Sequence, residues 1–189
     1  MTPDEAFDLS LARDDLAYHQ ARVLLLVTAV ATSPGHARKL DGLTKLAKLD
    51  FLLRYPALAP EVLDQLSRTD ARLHLSAEDN AEPTDVEAPM TRYKYGPWDD
   101  RYYAVIGALV GRGLLRYATG RRGSVALAPT TAGRRLSQTL AATPEWTNIA
   151  QRCGAIADAT SGMTGNALKD LIYERLASLM DRPQRQVIR

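Results

Sequence analysis

The sequence predicts a mainly helical protein that carries one two-stranded antiparallel hairpin. Its 189 residues are 46% hydrophobic, which is enough for a core, and most of the apolar residues recur at helical spacing. Residues 109–136 break this pattern, since LVGRGLLRYATGRRGSVALAPTTAGRRL is typical of a helix end, a strand, a tight turn, a second strand and a new helix. We therefore predict a winged helix-turn-helix with a two-stranded β wing and a C-terminal helical extension.

Two helices are predicted before the wing. The first covers residues 13–31, where apolar side chains repeat every three or four positions. The stripe consists of Leu16, Val23, Leu24, Val27 and Val30. The second begins after Leu40, with Asp41 as the N-cap and with Lys45 and Lys48 on the outer, solvated face. Both helices are expected to contribute to the core of the winged-helix domain.

An acidic insertion is predicted to interrupt this domain at about residues 57–89, a segment that contains eight acidic residues and only two arginines. A short helix is expected at 61–68, and the polar residues 69–89 predict a loop. The predicted domains are thus a winged-helix domain over 1–144 and a C-terminal helical extension over 145–189. Segregated charge of this kind can separate a nucleic-acid face from a partner face, or it can be an ordinary solvated surface.

The helix in the position of a recognition helix is predicted over about 98–112. Asp99 and Asp100 fall in its first turn, where they are expected to cap it, and only two cations occur within it. A helix that reads bases in the major groove needs more hydrogen-bond donors, so sequence-specific reading is not favoured. The preceding segment, 90–98, interleaves aromatics with Arg and Lys. This pattern fits either a base-stacking surface or the edge of a core.

Positive charge is concentrated around the wing. Between residues 102 and 144 the chain has six arginines and no acidic residue, although the whole chain is only +2. These arginines, the predicted nucleic-acid-binding residues, are Arg112, Arg116, Arg121, Arg122, Arg134 and Arg135. Their clustering predicts contact with the phosphates of double-stranded DNA. The alternatives are a wing that binds protein, or arginines that protect an edge hairpin from aggregation.

Two further helices are predicted at 146–159 and 166–180. The last one carries an apolar stripe, which we predict to bind a partner. Its residues are Leu168, Leu171, Ile172, Leu176 and Leu179. Packing of this stripe on the chain's own core is the alternative.

The residues that usually carry catalysis form no pattern. His19, His36 and His74 are scattered without metal-ligand spacing, and neither a phosphate-binding loop nor a nucleophile elbow is present. We therefore expect no enzymatic activity, no cofactor, no metal and no small-molecule substrate. No apolar stretch is long enough for a membrane span. A single cysteine and an acidic start favour the cytoplasm.

Two blocks of the sequence carry a family resemblance. Residues 40–56 read LDGLTKLAKLDFLLRYP, and residues 90–99 read MTRYKYGPWD, followed by LVGRGL at 109–114. Together they resemble the middle-component proteins of bacterial three-component ABC-ATPase conflict systems, which include Lamassu-type anti-phage defence. The resemblance covers about residues 38–135. It implies a non-catalytic winged-helix subunit that bridges an SMC-like or Rad50-like ABC ATPase and an effector.

Two other roles stay open. A stand-alone winged-helix transcriptional regulator would bind a palindrome as a dimer, and the cation-poor helix at 98–112 argues against it. An antitoxin-like protein would neutralise a toxin by contact, and Tyr95-Gly96-Pro97 resembles the turn that precedes a helix in such domains.

Overall fold

The computed structural model of the chain describes residues 15–75, 90–94, 96–181 and 183–188. It is mainly helical with a small antiparallel sheet, as predicted. The helices are α1 (Leu16–Thr32), α2 (Leu43–Arg54), α3 (Ala59–Val62), α4 (Tyr102–Gly111), α5 (Thr131–Ala141), α6 (Pro144–Ala159), α7 (Gly165–Arg175) and α8 (Ala177–Met180). The strands are β1 (Leu40–Asp41), β2 (Thr91–Tyr93), β3 (Gly96–Trp98), β4 (Leu115–Thr119) and β5 (Val125–Pro129). Short 3-10 turns lie at Pro56–Leu58, Ala71–Leu73 and Arg121–Gly123.

Helix α1 is at the centre of the fold. It starts at the N-cap Asp15, whose side chain accepts a hydrogen bond from Ala17 N at 2.8 Å. The side chains of Val23, Leu26 and Val27 are fully buried, because α1 packs against α4, α5, α6 and β5. The predicted helical stripe is therefore confirmed, except that Leu16 at the helix start is 39% exposed.

Strands β1, β5 and β4 form a three-stranded antiparallel sheet in that order. The register pairs Arg116 with Ala128 and Leu40 with Leu127. The predicted hairpin is thus confirmed, and the two-residue strand β1 extends it. Asp41 belongs to this strand and is not the N-cap of α2, so that prediction is wrong; the N-cap is Gly42, whose φ of 95° requires glycine.

Helix α2 is covered on all sides. All ten residues from Lys45 to Arg54 are buried, since α1, α6, α7 and β3 pack around the helix. The prediction that Lys45 and Lys48 lie on a solvated face is therefore wrong. Their side chains are 5% and 3% exposed, and each ammonium group donates one hydrogen bond to a backbone carbonyl.

The predicted insertion contributes to the core. Leu58, Val62, Leu63 and Leu73 are buried among the residues of α1 and α2, and the predicted helix at 61–68 is only the short α3. The remainder of the predicted loop, residues 76–89, lies outside the described residues. The same hydrophobic cluster also includes residues of α6, α7 and α8, on the other side of residue 144.

The predicted last helix is divided in two, because Leu176 leaves helical geometry at φ −118° and ψ 39°. Leu168, Ile172 and Leu176 lie in the chain's own core. Leu171 and Leu179 are partly buried against the same core. The partner-binding prediction is therefore wrong for the three buried residues, because side chains packed inside the fold are not available to another protein. For Leu171 and Leu179, which are partly exposed, it stays a prediction.

The chain's final segment runs beside β2 as an additional extended piece. Arg92 N donates to Gln186 O at 2.8 Å, and Ile188 N donates to Met90 O at 2.8 Å. Ile188 is fully buried, and its carbonyl accepts from Tyr55 Oη at 2.6 Å. No helix in the described part of the chain is long and apolar enough to cross a bilayer.

Candidate nucleic-acid interface

The tip of the hairpin is a tight turn at residues 120–124. Gly120 N donates to Ser124 O at 2.6 Å, and Ser124 N donates to Arg121 O at 3.1 Å. Gly123 has φ +77°, which glycine adopts without strain, and Arg122 has a left-handed φ of 53°. The backbone therefore presents two successive arginines at an exposed turn.

Asp41 holds this tip against the rest of the fold. Its two carboxylate oxygens accept from Arg121 N at 2.9 and 3.2 Å. A side chain at Gly120 would overlap the Asp41 carboxylate, so the close approach of hairpin and β1 depends on glycine there. The hairpin tip is thus fixed by a backbone contact, which leaves the guanidinium groups available.

The six predicted arginines share one property: none uses its guanidinium in an ion pair or hydrogen bond with another described residue. Five are exposed and Arg134 is half-buried. Arg121 and Arg122 share one cleft, and Arg134 lines another beside Arg38. Arg112 at the end of α4, Arg116 on the edge strand β4 and Arg135 on α5 lie outside both clefts.

Helix α4 differs from the helix predicted at 98–112, because it begins at Tyr102. Its exposed residues are Tyr103, Ala104, Gly107 and Gly111. This outer face offers the hydroxyl of Tyr103 and otherwise no side-chain donor for base edges or phosphates. Arg112 follows at the C-cap, and Arg101 before the helix is bound to Asp99.

A cleft with a volume of about 640 Å³ opens beside the hairpin tip. We call it the basic cleft. Among the residues that the structure describes, four cationic side chains line it, Lys39, Lys45, Arg121 and Arg122, against a single carboxylate, that of Asp41. The other lining groups are Gly35, His36, Ala37, Gly42, Thr44, Ser124, Gly162, Met163, Thr164, Gly165 and Asn166.

Burial and neighbouring charge affect two groups of the basic cleft. Burial lowers the pKa of Lys45, and the positive charge of Arg121 lowers it further, whereas Asp41 opposes the shift. Burial also lowers the pKa of His36, whose Nε2 lies 2.8 Å from Ala157 O. Burial is the largest cause of both shifts, and a neighbouring cation contributes to each, Arg121 for Lys45 and Lys45 for His36.

A buried ion-pair network lies on the opposite side of α2, and sequence analysis missed it. Arg22 Nε donates to Asp50 Oδ1 at 2.8 Å, and Arg54 Nε donates to Asp50 Oδ2 at 3.0 Å. Arg54 Nη2 also reaches Asp99 Oδ2 at 2.7 Å, and Tyr102 Oη donates to Asp50 at 2.6 Å. The only sequence signal was the presence of charged residues inside otherwise apolar helical stretches.

This network controls the ionisation of its carboxylates. Burial by itself would raise the pKa of Asp50, but the charges of Arg22 and Arg54 outweigh burial and hold it well below its usual range. The pKa of Asp99 is also lowered, since the hydrogen bonds from Arg101 and the charge of Arg54 outweigh burial. The prediction that Asp99 and Asp100 cap the helix at 98–112 in its first turn is wrong, because α4 begins at Tyr102 and its N-cap is Arg101, which has no side-chain cap. Asp99 Oδ1 instead accepts from Arg101 N at 3.0 Å, ahead of the helix.

The aromatic segment before α4 forms a surface cluster. The ring of Trp98 lies 6.0 Å from the rings of both Tyr93 and Tyr103, which are 46% and 68% exposed. Trp98 itself packs edge-on against Tyr102 at 5.3 Å. The segment is therefore partly core and partly surface; Tyr95 lies outside the described residues.

Cys153 is fully buried in the core, as a packing residue. Across the described ranges, no three His, Cys, Asp or Glu side chains come together as a metal site would require.

Comparisons with protein families, with characterised proteins and with solved structures find no match for this chain.

Proposed function

We propose that this protein is a non-catalytic winged-helix subunit that contacts the phosphate backbone of double-stranded DNA through its hairpin. One observation carries the proposal: six arginines surround the hairpin, and no described residue neutralises their guanidinium groups. A cluster of exposed, unpaired guanidinium groups attracts a polyanion. Because phosphates alone are contacted in this way, binding is expected to be tolerant of sequence.

The topology supports the winged-helix assignment. The order α1, β1, α2, α4, β4, β5 is the order of a winged helix if the segment between α2 and α4 is an insertion. The strand β1 pairs with the returning strand β5, which joins the hairpin to the helices. In this arrangement α4 takes the place of the recognition helix and β4–β5 forms the wing.

The outer face of α4 favours a subunit over a sequence-specific regulator. Its exposed residues are small or aromatic, and none of them has a charged donor. A helix that discriminates bases uses Arg, Lys, Asn or Gln on their edges. The face is better suited to packing than to the major groove.

The partners in this proposal follow from the family resemblance. An SMC-like or Rad50-like ABC ATPase would provide the chemistry, an effector would carry out the anti-phage response, and this cytoplasmic subunit would bridge them. The two blocks that carry the resemblance meet inside the fold. Asp50 and Arg54 belong to the first block and Asp99 to the second, and Arg54 Nη2 binds Asp99 at 2.7 Å inside the protein.

The DNA half of the proposal is tested by replacing Arg121→Gln together with Arg122→Gln. Affinity for a short duplex is measured by fluorescence anisotropy over a series of salt concentrations. If all six arginines bind phosphates, the log–log slope of affinity against salt is about −5, and the double variant lowers its magnitude by about 2. The matched control is Arg68→Gln with Arg175→Gln, two arginines already paired with Glu61 and Asp64. If the hairpin variant and the wild type have equal affinity and equal salt slope, the hairpin arginines do not contact DNA.

The complex half is tested by capture of the full chain from its native cells, followed by mass spectrometry. Recovery of an ABC ATPase of the SMC or Rad50 type is the expected result. Capture that returns no such ATPase, under conditions where the tagged chain is folded, rejects the bridging role.

A further inference from the structure

The basic cleft differs from the rest of the hairpin surface because its cations converge from separate segments. Lys39 comes from the loop before β1, Lys45 from the first turn of α2, and Arg121 and Arg122 from the hairpin tip. Lys39 is held in place by its hydrogen bond to Thr119 O at 2.6 Å. The resulting site is concave, whereas Arg112, Arg116 and Arg135 lie outside it.

Lys45 is the most constrained of these cations. Its side chain is 5% exposed, yet it lines the cleft. Its Nζ donates to Met163 O at 2.6 Å and lies 3.4 Å from His36 Nδ1. An ammonium group has three N–H donors. Among the described residues the third has no partner, so a buried charged donor remains available to a ligand.

Backbone groups add to the positive potential. Helix α2 has twelve residues and begins at the cleft with no side chain accepting hydrogen bonds from its first turn. The first N–H groups of a helix have no partner within it and carry its positive end.

We propose that the basic cleft binds a terminal phosphate group, a phosphomonoester dianion such as occurs at a 5′ end of DNA or on a nucleotide. The four cations and one carboxylate that the described residues place in the cleft suit a dianion better than the single charge of an internal phosphodiester. A terminal phosphate also has three oxygens that several walls can contact at once, whereas an internal phosphate continues in both directions along the strand. A volume of about 640 Å³ accommodates a nucleotide. This inference rests on the proposed contact with nucleic acid and assigns the hairpin tip a second ligand group.

The test compares matched ligands with the full chain. One arm measures a short duplex with a 5′-phosphate against the same duplex with a 5′-hydroxyl, by fluorescence anisotropy. The other measures AMP against adenosine by titration calorimetry. The phosphorylated member is expected to bind about tenfold more tightly, because its charged hydrogen bonds to the cleft are lost in the other. Preference in the first arm identifies a DNA end as the source, and preference only in the second identifies a nucleotide. Equal binding within both pairs overturns the inference.

The decisive variant is Lys45→Met, which keeps the length of the side chain and removes its charge. It is expected to abolish the preference for phosphate. Lys48→Met is the matched control, since Lys48 is an equally buried lysine on the same helix that does not line the cleft. A folded Lys45→Met protein with the full preference overturns the inference. If this variant does not fold, the exposed Arg122→Gln is used, and a preference reduced less than about threefold overturns it as well.

A second pair of substitutions separates this inference from the proposed function. Arg116→Gln with Arg135→Gln lies outside the cleft and is expected to weaken both duplexes equally, leaving their ratio unchanged. If duplex affinity is insensitive to every arginine substitution while AMP is still preferred over adenosine, the DNA role fails and the phosphate site stands. If the duplex binds through the arginines but neither pair of ligands is distinguished, the phosphate site fails and the DNA role stands.

Discussion

Arg54 and Asp99 are 45 positions apart in sequence and form an ion pair in the interior, with 2.7 Å between Arg54 Nη2 and Asp99 Oδ2. The contact joins the middle of the fold to the start of α4 by way of Asp50, which both Arg22 and Arg54 bind. Among the described residues, three arginines thus bind two carboxylates. Arg22 and Arg54 bind Asp50, and Arg54 and the partly exposed Arg101 bind Asp99. The arrangement fixes α1, α2 and α4 relative to one another by charge as well as by apolar packing.

Asp50→Asn is expected to lower the free energy of unfolding by about 3–5 kcal/mol, since it leaves two buried guanidinium groups without their shared counter-ion. Asp50 is fully buried, so water cannot replace the lost charge. Urea denaturation measures the change. The control is Asp170→Asn, whose side chain is 70% exposed and, among the described residues, pairs only with Lys169. Its effect is expected to stay within about 0.5 kcal/mol. A loss below about 1 kcal/mol for Asp50→Asn would contradict the stabilising role of the network.

Lys48→Met is expected to stabilise the protein at pH 7 by roughly 1–3 kcal/mol, because a buried ammonium is replaced by an apolar group of similar length. Burial lowers the pKa of Lys48 from 10.5 to about 8, with a further contribution from Lys169. Between pH 8 and 10.5 the unfolded chain therefore binds more protons at this position than the folded chain does. Its contribution to the free energy of unfolding consequently increases as the pH rises through this range.

The measurement for Lys48 is a series of urea titrations from pH 7 to 10.5. The stability advantage of Lys48→Met over the wild type should shrink steadily as the pH rises, because the wild type loses the cost of the buried charge. An advantage that is constant across the series would show that the ammonium is not the source of the difference. The hydrogen bond from Lys48 Nζ to Thr44 O, 3.1 Å in length, can be donated by the neutral amine as well as by the ammonium, so its loss in Lys48→Met does not produce such a trend.

Leu168→Ala is expected to lower the free energy of unfolding by about 2–5 kcal/mol, since it creates a cavity in the core. Leu168 is fully buried on α7. Leu136→Ala is the matched control: the same substitution is made on α5, where the leucine is 38% exposed, and the expected loss is below about 1 kcal/mol. Thermal or urea unfolding measures both. If Leu168→Ala left stability intact and instead weakened binding to a partner, the correction made to the partner-binding prediction would itself be wrong.

The parts of the fold that follow local rules could be predicted from the sequence. The hairpin was visible because Gly120 and Gly123 flank two arginines between apolar strands, and Thr130 acts as an N-cap with Gly133 N bound to its Oγ1 at 3.0 Å. Helix α1 was visible because one of its faces is continuously apolar. Each of these signals lies within a few residues of the structure that it specifies.

The buried charges could not be predicted in this way. Lys45 and Lys48 follow a spacing that ordinarily indicates a solvated face, but α7 and the residues before it cover that face. Asp50 and Arg54 are four residues apart, which suggests a surface pair, and their remaining partners come from α1 and from the start of α4. The basic cleft is hidden for the same reason, since Lys39, Lys45 and Arg121 meet only after the chain has folded.

Because one carboxylate serves two guanidinium groups inside the protein, the positions of Arg22, Asp50 and Arg54 are not independent in evolution. Substitution of any one of them leaves a buried charge without its counter-charge. The three residues are therefore expected to be retained together or exchanged together for an uncharged set. In sequences that share this fold, they should vary as a triplet, and Asp99 should follow Arg54.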